Sequence, residues 1–134
     1  MSDRVRDAMV VDLPQLGGAD TAQAAGEALT RREVRALFVC DEGRLVGVVT
    51  RKTLVREVVA AGRDPRTTEL RTIAEEPHHT IDSDLPLDEA FHFLEEHDLE
   101  RVPVVEGGRL VGVLSRAVLQ RRLAEDEPPA AEDG

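Results

Sequence analysis

The chain has no tryptophan, no tyrosine and only three phenylalanines, so it cannot offer the aromatic platform on which bases of a single-stranded nucleic acid stack. A ring-shaped ligand would have to lie between aliphatic side chains. The single cysteine, Cys40, rules out an internal disulfide, and its place in an apolar run predicts a buried thiol rather than a reactive one. A contiguous basic footprint is also missing. The formal charge is −10, and half of it comes from residues 125–134, where five acids stand without a base. That balance excludes a nucleic-acid duplex or a phospholipid surface as the partner. No apolar run approaches the roughly eighteen residues of a membrane span, and the N-terminus shows no leader pattern. The expectation is a soluble, cytoplasmic protein.

What the chain does have is written twice. The run 36–50, ALFVCDEGRLVGVVT, and the run 101–115, RVPVVEGGRLVGVLS, each read as apolar strand, acidic-Gly turn, apolar strand, and a hydroxyl residue where a helix should begin. The same shift of 65 residues places Val5 on Leu70, Leu16 on Ile81, Ala25 on Ala90 and Leu29 on Leu94. Halves of about 60 residues are individually marginal. Two copies at so long a period point to a pseudo-symmetric pair burying one face against the other.

In order, Val5 to Met9 reads as a short packed segment, followed by an irregular stretch at 12–18 that Pro14 and two glycines keep from regular structure. Thr21 caps a helix over 22–32. Strands are expected at 34–40 and 45–49, then a helix from Thr50 to about Ala61 whose stripe Leu54, Val55, Val58 and Val59 would face a core. The second copy repeats the plan: a segment at 70–74, an extended piece at 77–81, and a helix to about His97 with Leu87, Ala90, Phe91 and Leu94 inward. Strands follow at 102–105 and 110–114, then a helix from Ser115 to about Ala124 with Val118, Leu119 and Leu123 inward. Catalysis finds little footing. Ser83 and Ser115 have no His-and-acid company in sequence, adjacent His78 and His79 would point to opposite sides of a strand, and Glu89 with His92 makes a solvated helix face rather than a site.

The repeat resembles the cystathionine β-synthase (CBS) domain. The words that carry the likeness are VRDAM at 5–9, RVPVV at 101–105, and GRLVGV followed by Val-Thr at 43–50 and by Leu-Ser at 108–115. They recur in this order at matching offsets, over residues 5 to about 124. The resemblance implies an α/β fold, a tandem pair of β-α-β-β-α motifs packed pseudo-two-fold around their sheets. Motif 1 spans 1–68, motif 2 spans 69–124, together they form one folded unit, and an acidic tail at 125–134 is disordered.

The resemblance further implies a non-enzymatic regulatory module that binds AMP, ADP, ATP, S-adenosylmethionine or a related adenosyl effector in a cleft between the motifs, with no cofactor required. Carried over position by position, the contacts fall on Leu16, Leu37, Phe38, Thr50, Arg51 and Thr53 in the first copy. In the second they fall on Thr80, Ile81, Val102, Pro103, Ser115 and Arg116. The hydroxyls of Thr50 and Ser115 would meet phosphate, and Arg51 and Arg116 flank them. Where the family has an Asp gripping the ribose hydroxyls, this chain has Thr53 and Val118, and neither offers a carboxylate. Those replacements keep a second reading open, a ligand-free homodimeric adaptor. Either way a homodimer through the helices is expected, with a regulated protein as further partner and neither nucleic acid nor membrane.

Overall fold

The computed structural model describes residues 3–11 and 13–126. The expected disorder of the acidic tail falls on residues outside that description from 127 onward. So does the inward-facing side chain assigned to Leu123. The described residues form a mixed α/β fold of six strands and four α-helices: β1 (Gln15–Gly17), α1 (Ala22–Ala28), β2 (Leu37–Asp41), β3 (Arg44–Val49), α2 (Arg51–Leu54), β4 (Ile81–Asp82), α3 (Leu87–Glu96), β5 (Arg101–Glu106), β6 (Arg109–Ser115) and α4 (Arg116–Asp126).

Two compact units form. Of the described residues, one takes 13–78 with 108–110; the other takes 3–11, 79–107 and 111–126. In the first, β1 runs parallel to β2, and β2 pairs antiparallel with β3. In the second, β4 runs parallel to β5. The hairpins turn where the composition says they must. Glu42 and Gly43 have φ of 52° and 82°, Gly107 and Gly108 have 59° and 84°, and successive left-handed residues match the twist of the flanking strands.

Each unit has its own apolar core, and each core borrows from the other copy. Ala22, Ala25, Leu29, Leu37, Val39, Val49 and Val58 of the first copy close around Leu70 and Ile73 from the start of the second. Ile81, Leu87, Ala90, Leu94, Val102, Val104, Leu114 and Leu119 of the second copy close around Val5 from the start of the first. The two leading segments, 3₁₀ turns at Val5–Asp7 and Leu70–Thr72, have thus changed places. Their backbones are fastened in equivalent ways. Val5 and Arg6 donate to the carbonyls of Leu85 and Ser83, as Leu70 and Arg71 donate to those of Asp20 and Gly18. Val10 exchanges two 2.9 Å bonds with Val113, and Glu75 exchanges bonds of 2.8 and 2.9 Å with Val48.

Three expectations need correction. The stretch 12–18 is not wholly irregular: Gln15–Gly17 forms β1, because Phe38, Val39 and Cys40 offer it a parallel backbone ladder. The helix after Thr21 stops at Ala28 rather than reaching Arg32. The helix after Thr50 gives way after one turn to a π-turn, Val55–Val59, with the Ala60 amide reaching back to the Val55 carbonyl. That widening changes which side chains turn inward. Thr53 and Val58, five apart, are buried, while Val55 and Val59 of the expected core stripe are 57% and 73% exposed.

The glycines opposite the borrowed segments are required by contact. A methyl group on Gly47 would stand 2.8 Å from both the Ala74 Cβ and the Glu75 carbonyl oxygen, and one on Gly112 would stand 2.9 Å from the Val10 carbonyl oxygen. Backbone cannot give way as a side-chain tip can. Gly47→Ala is therefore expected to lower stability by about 1–3 kcal/mol in urea unfolding. Gly26→Ala, whose new methyl meets Leu54 Cδ1 at an ordinary 3.8 Å inside α1, should raise it by about 0.4–1 kcal/mol. Equal effects would remove the close-approach argument.

Candidate functional site

The residues singled out in the first copy lie on neighbouring strands and on the helix that follows them, without sharing one face. Leu16 pairs with Val39 across β1 and β2, next to Phe38, and Leu37 pairs with Val49 across β2 and β3, one residue before Thr50. The register places Leu16 with Leu37 and Val39 on the core face and Phe38, which lies between Leu37 and Val39 on β2, on the opposite face. Leu37 is buried; Leu16, Phe38 and Thr50 are partly exposed, and Arg51 is exposed.

Thr50 caps α2 as the sequence predicts, and its hydroxyl accepts from the Thr53 amide at 3.2 Å. Thr53 returns the favour, accepting from the Thr50 amide at 3.0 Å, the reciprocal pattern of a capping box. The Thr53 hydroxyl also lies 2.7 Å from Glu75 Oε2. A carboxylate only accepts, so Thr53 donates there, and in the 3.1 Å contact between the two hydroxyls Thr50 must be the donor. Both hydroxyl protons are thus committed. Thr53 is fully buried, so a ligand does not reach it without opening this network.

Glu75 holds the network together. It accepts from Thr53 and, at 2.7 Å, from Arg56 Nη2. Those two bonds, with the nearby charges of Arg56 and His78, hold its carboxyl below the usual range against the opposing effect of partial burial. Sequence reasoning passed over Glu75 and Arg56, although the repeat carries a signal. Under the 65-residue shift Glu75 stands against Val10, and Thr53 against Val118. One copy has a polar pair where the other has two valines. The family position expected to bear a carboxylate carries a hydroxyl, and a carboxylate arrives beside it from another segment.

The second copy is built differently. Ile81 and Val102 are buried, Thr80 is exposed, and Pro103 and Ser115 are partly exposed. The Ser115 hydroxyl accepts a long 3.4 Å bond from the Val118 amide. Arg116, the counterpart of Arg51, is 21% exposed and pairs with Glu100 at 3.0 Å and Asp98 at 3.8 Å. Arg51 has no carboxylate within 4 Å among the described residues; its Nη2 donates to the Arg31 carbonyl at 2.8 Å.

Other candidates settle into structural roles. Cys40 is buried in β2, and burial together with the adjacent Asp41 charge raises its thiol pKa. Ser83 is buried with its hydroxyl on Glu106. His79 packs against Phe93 and His97, with ring centroids 5.5 and 4.4 Å apart. Among the described residues no three His, Cys, Asp or Glu side chains are grouped so as to hold a metal ion.

Replacing Thr53 by the family's carboxylate should set two anions against each other at Glu75. Thr53→Asp is expected to lower the melting temperature at neutral pH. Its deficit should shrink as pH falls through the carboxylate range near about 4, and Glu75→Ala in the same chain should restore much of the loss. Thr53→Asp as stable as the parent would show that Glu75 does not govern this position.

The comparisons with known proteins agree with the repeat. The CBS domain family model matches residues 5–60 and 70–125. Hypoxic response protein 1 of Mycobacterium tuberculosis is 33% identical over 121 residues, 90% of this chain and 85% of that protein. A crystal structure of Hypoxic Response Protein I with two coordinated zinc ions superposes with a TM-score of 0.75 at 31% identity, over 90% of this chain and 98% of that one. The hexameric CBS-CP12 protein from bloom-forming cyanobacteria shares the fold, with a TM-score of 0.64 at 22% identity over 96% and 77% of the two chains. Two family matches in tandem, on two units with corresponding hairpins and exchanged leading segments, make this chain a member of the CBS domain family, whose paired domains are typically regulatory or signalling modules.

Proposed function

We propose that the chain is a non-enzymatic regulatory module of the cytoplasm that binds a phosphate-bearing adenosyl metabolite at the first copy, through Arg51 beside Thr50, and passes the occupancy on to a regulated protein. One observation carries this reading: of two equivalent arginines, Arg116 is already neutralised by Glu100 and Asp98, whereas Arg51 keeps its charge open to an anion. A charge-assisted contact from a guanidinium to phosphate contributes about 1.5–3 kcal/mol. Calorimetry with AMP, ADP and ATP should show binding that Arg51→Ala weakens by about tenfold or more and Arg116→Ala leaves unchanged. Absence of binding at millimolar nucleotide, or equal sensitivity to the two substitutions, would overturn the proposal.

A second reading concerns assembly and has its own support. Val55 and Val59 stand exposed on the helical segment 51–59. Beside them lies a hollow of about 580 Å³ whose walls include Ala22, Gly26, Leu54, Val58 and Pro65. Exposed apolar surface of this kind is costly unless covered, and a two-fold related copy would cover it with the same surface. We propose a homodimer through this face. Sedimentation velocity at tens of micromolar should give a dimer that Val59→Asp converts to a folded monomer; a monomeric parent would refute it.

A further inference from the structure

Residues 29–36 lead from α1 to β2 and carry Arg31, Arg32 and Arg35, none of which lies in the short words that carry the family likeness. Thr30, Arg32, Glu33 and Arg35 of this segment, with Arg51 from the head of α2, line a hollow of about 750 Å³. That is within the range of small-molecule sites. All five side chains are exposed. Three guanidiniums against one carboxylate give the lining a charge of +2 in a protein whose formal charge is −10.

Some of the arginines are answered by acids and some are not. Arg6, Arg56, Arg63, Arg66, Arg71, Arg116 and Arg122 each have a carboxylate within 4.0 Å. Among the described residues, Arg32, Arg35 and Arg51 have none. Arg4, Arg31, Arg101, Arg109 and Arg121 also lack one among the described residues, but here three such guanidiniums line a single hollow, which suits it to an anion from outside. Arg51 is also oriented for the task. Its bond to the Arg31 carbonyl ties it to the segment that bears the other two, and a guanidinium has five N–H donors, so the remaining ones stay available.

We infer that this hollow selects ligands carrying two or three phosphates over those carrying one, with Arg51 on one phosphate and Arg32 and Arg35 on the next. The inference rests on the proposed binding of a phosphate-bearing ligand at Arg51 and adds which ligands that site prefers. Planar guanidinium forks suit phosphate oxygens two at a time, and three of them around one space match a chain of phosphates better than a lone one. A single phosphate would leave at least one cation unanswered.

The test uses the intact chain and calorimetry without divalent metal, with AMP, ADP, ATP and inorganic tripolyphosphate as probes. ATP is expected to bind about tenfold or more tightly than AMP. Tripolyphosphate alone should compete with ATP, and added salt should weaken both. Arg32→Ala with Arg35→Ala should abolish the preference for ATP while leaving AMP binding and the unfolding midpoint in place. If AMP and ATP bind alike, or the double substitution leaves their ratio unchanged, the phosphate-chain selectivity is wrong and the nucleotide reading survives. If tripolyphosphate binds and no nucleotide improves on it, the selectivity stands and the adenosyl reading falls. If nothing binds, both fall.

Discussion

Neither core of this protein is complete without residues from the other copy, and that exchange is the constraint from which the remaining features follow. Val5 fills the interior built by the second repeat, and Leu70 and Ile73 fill the interior built by the first. Two repeats of marginal size thus become a pair in which each copy lends the other a turn it could not supply to itself. The exchange also fixes the glycines. Gly47 and Gly112 lie under the borrowed backbone, and a single added carbon would push it away.

The loan carries chemistry as well as bulk. Because residues 70–75 belong to the first-copy unit, Glu75 arrives at the head of α2 and there meets Thr53 and Arg56. At the corresponding place the second copy brings Val10, and its helix bears Val118. Near-identical hairpins thus end in unlike surroundings, one polar and one apolar. The arginines that follow diverge in the same way, Arg116 held by acids and Arg51 held only by a carbonyl. A duplicated motif with two different ends can give its two halves different tasks, one devoted to stability and the other left open.

Much of this was legible in the residues. The two hairpins, their left-handed turns, the caps at Thr21 and Thr50, and the inward face Leu87, Ala90 and Leu94 all follow from local rules, because turns and caps depend on a few neighbouring residues. Where the partner is distant, local reading stops. Gln15–Gly17 becomes a strand only because β2 lies beside it, and no rule for Pro14 and Gly17 could say so. The stripe Leu54, Val55, Val58 and Val59 has helical spacing, but the π-turn selects Thr53 and Val58 instead, and that turn is settled by packing. At the candidate site, Thr50 and Arg51 were visible from the repeat, whereas Glu75 was hidden by its distance in sequence, and Arg32 and Arg35 lie outside any motif. Comparing the copies position by position, rather than only where they agree, would have exposed Glu75.

The exchanged turns also order events in time. As the chain leaves the ribosome, the buried core of the first-copy unit is complete once Ile73 has emerged, since that is the last of its fully buried residues. Val5 finds its full set of neighbours only when Leu114 and Leu119 appear. A segment made early must therefore wait for one made much later, keeping an apolar residue exposed in the interval.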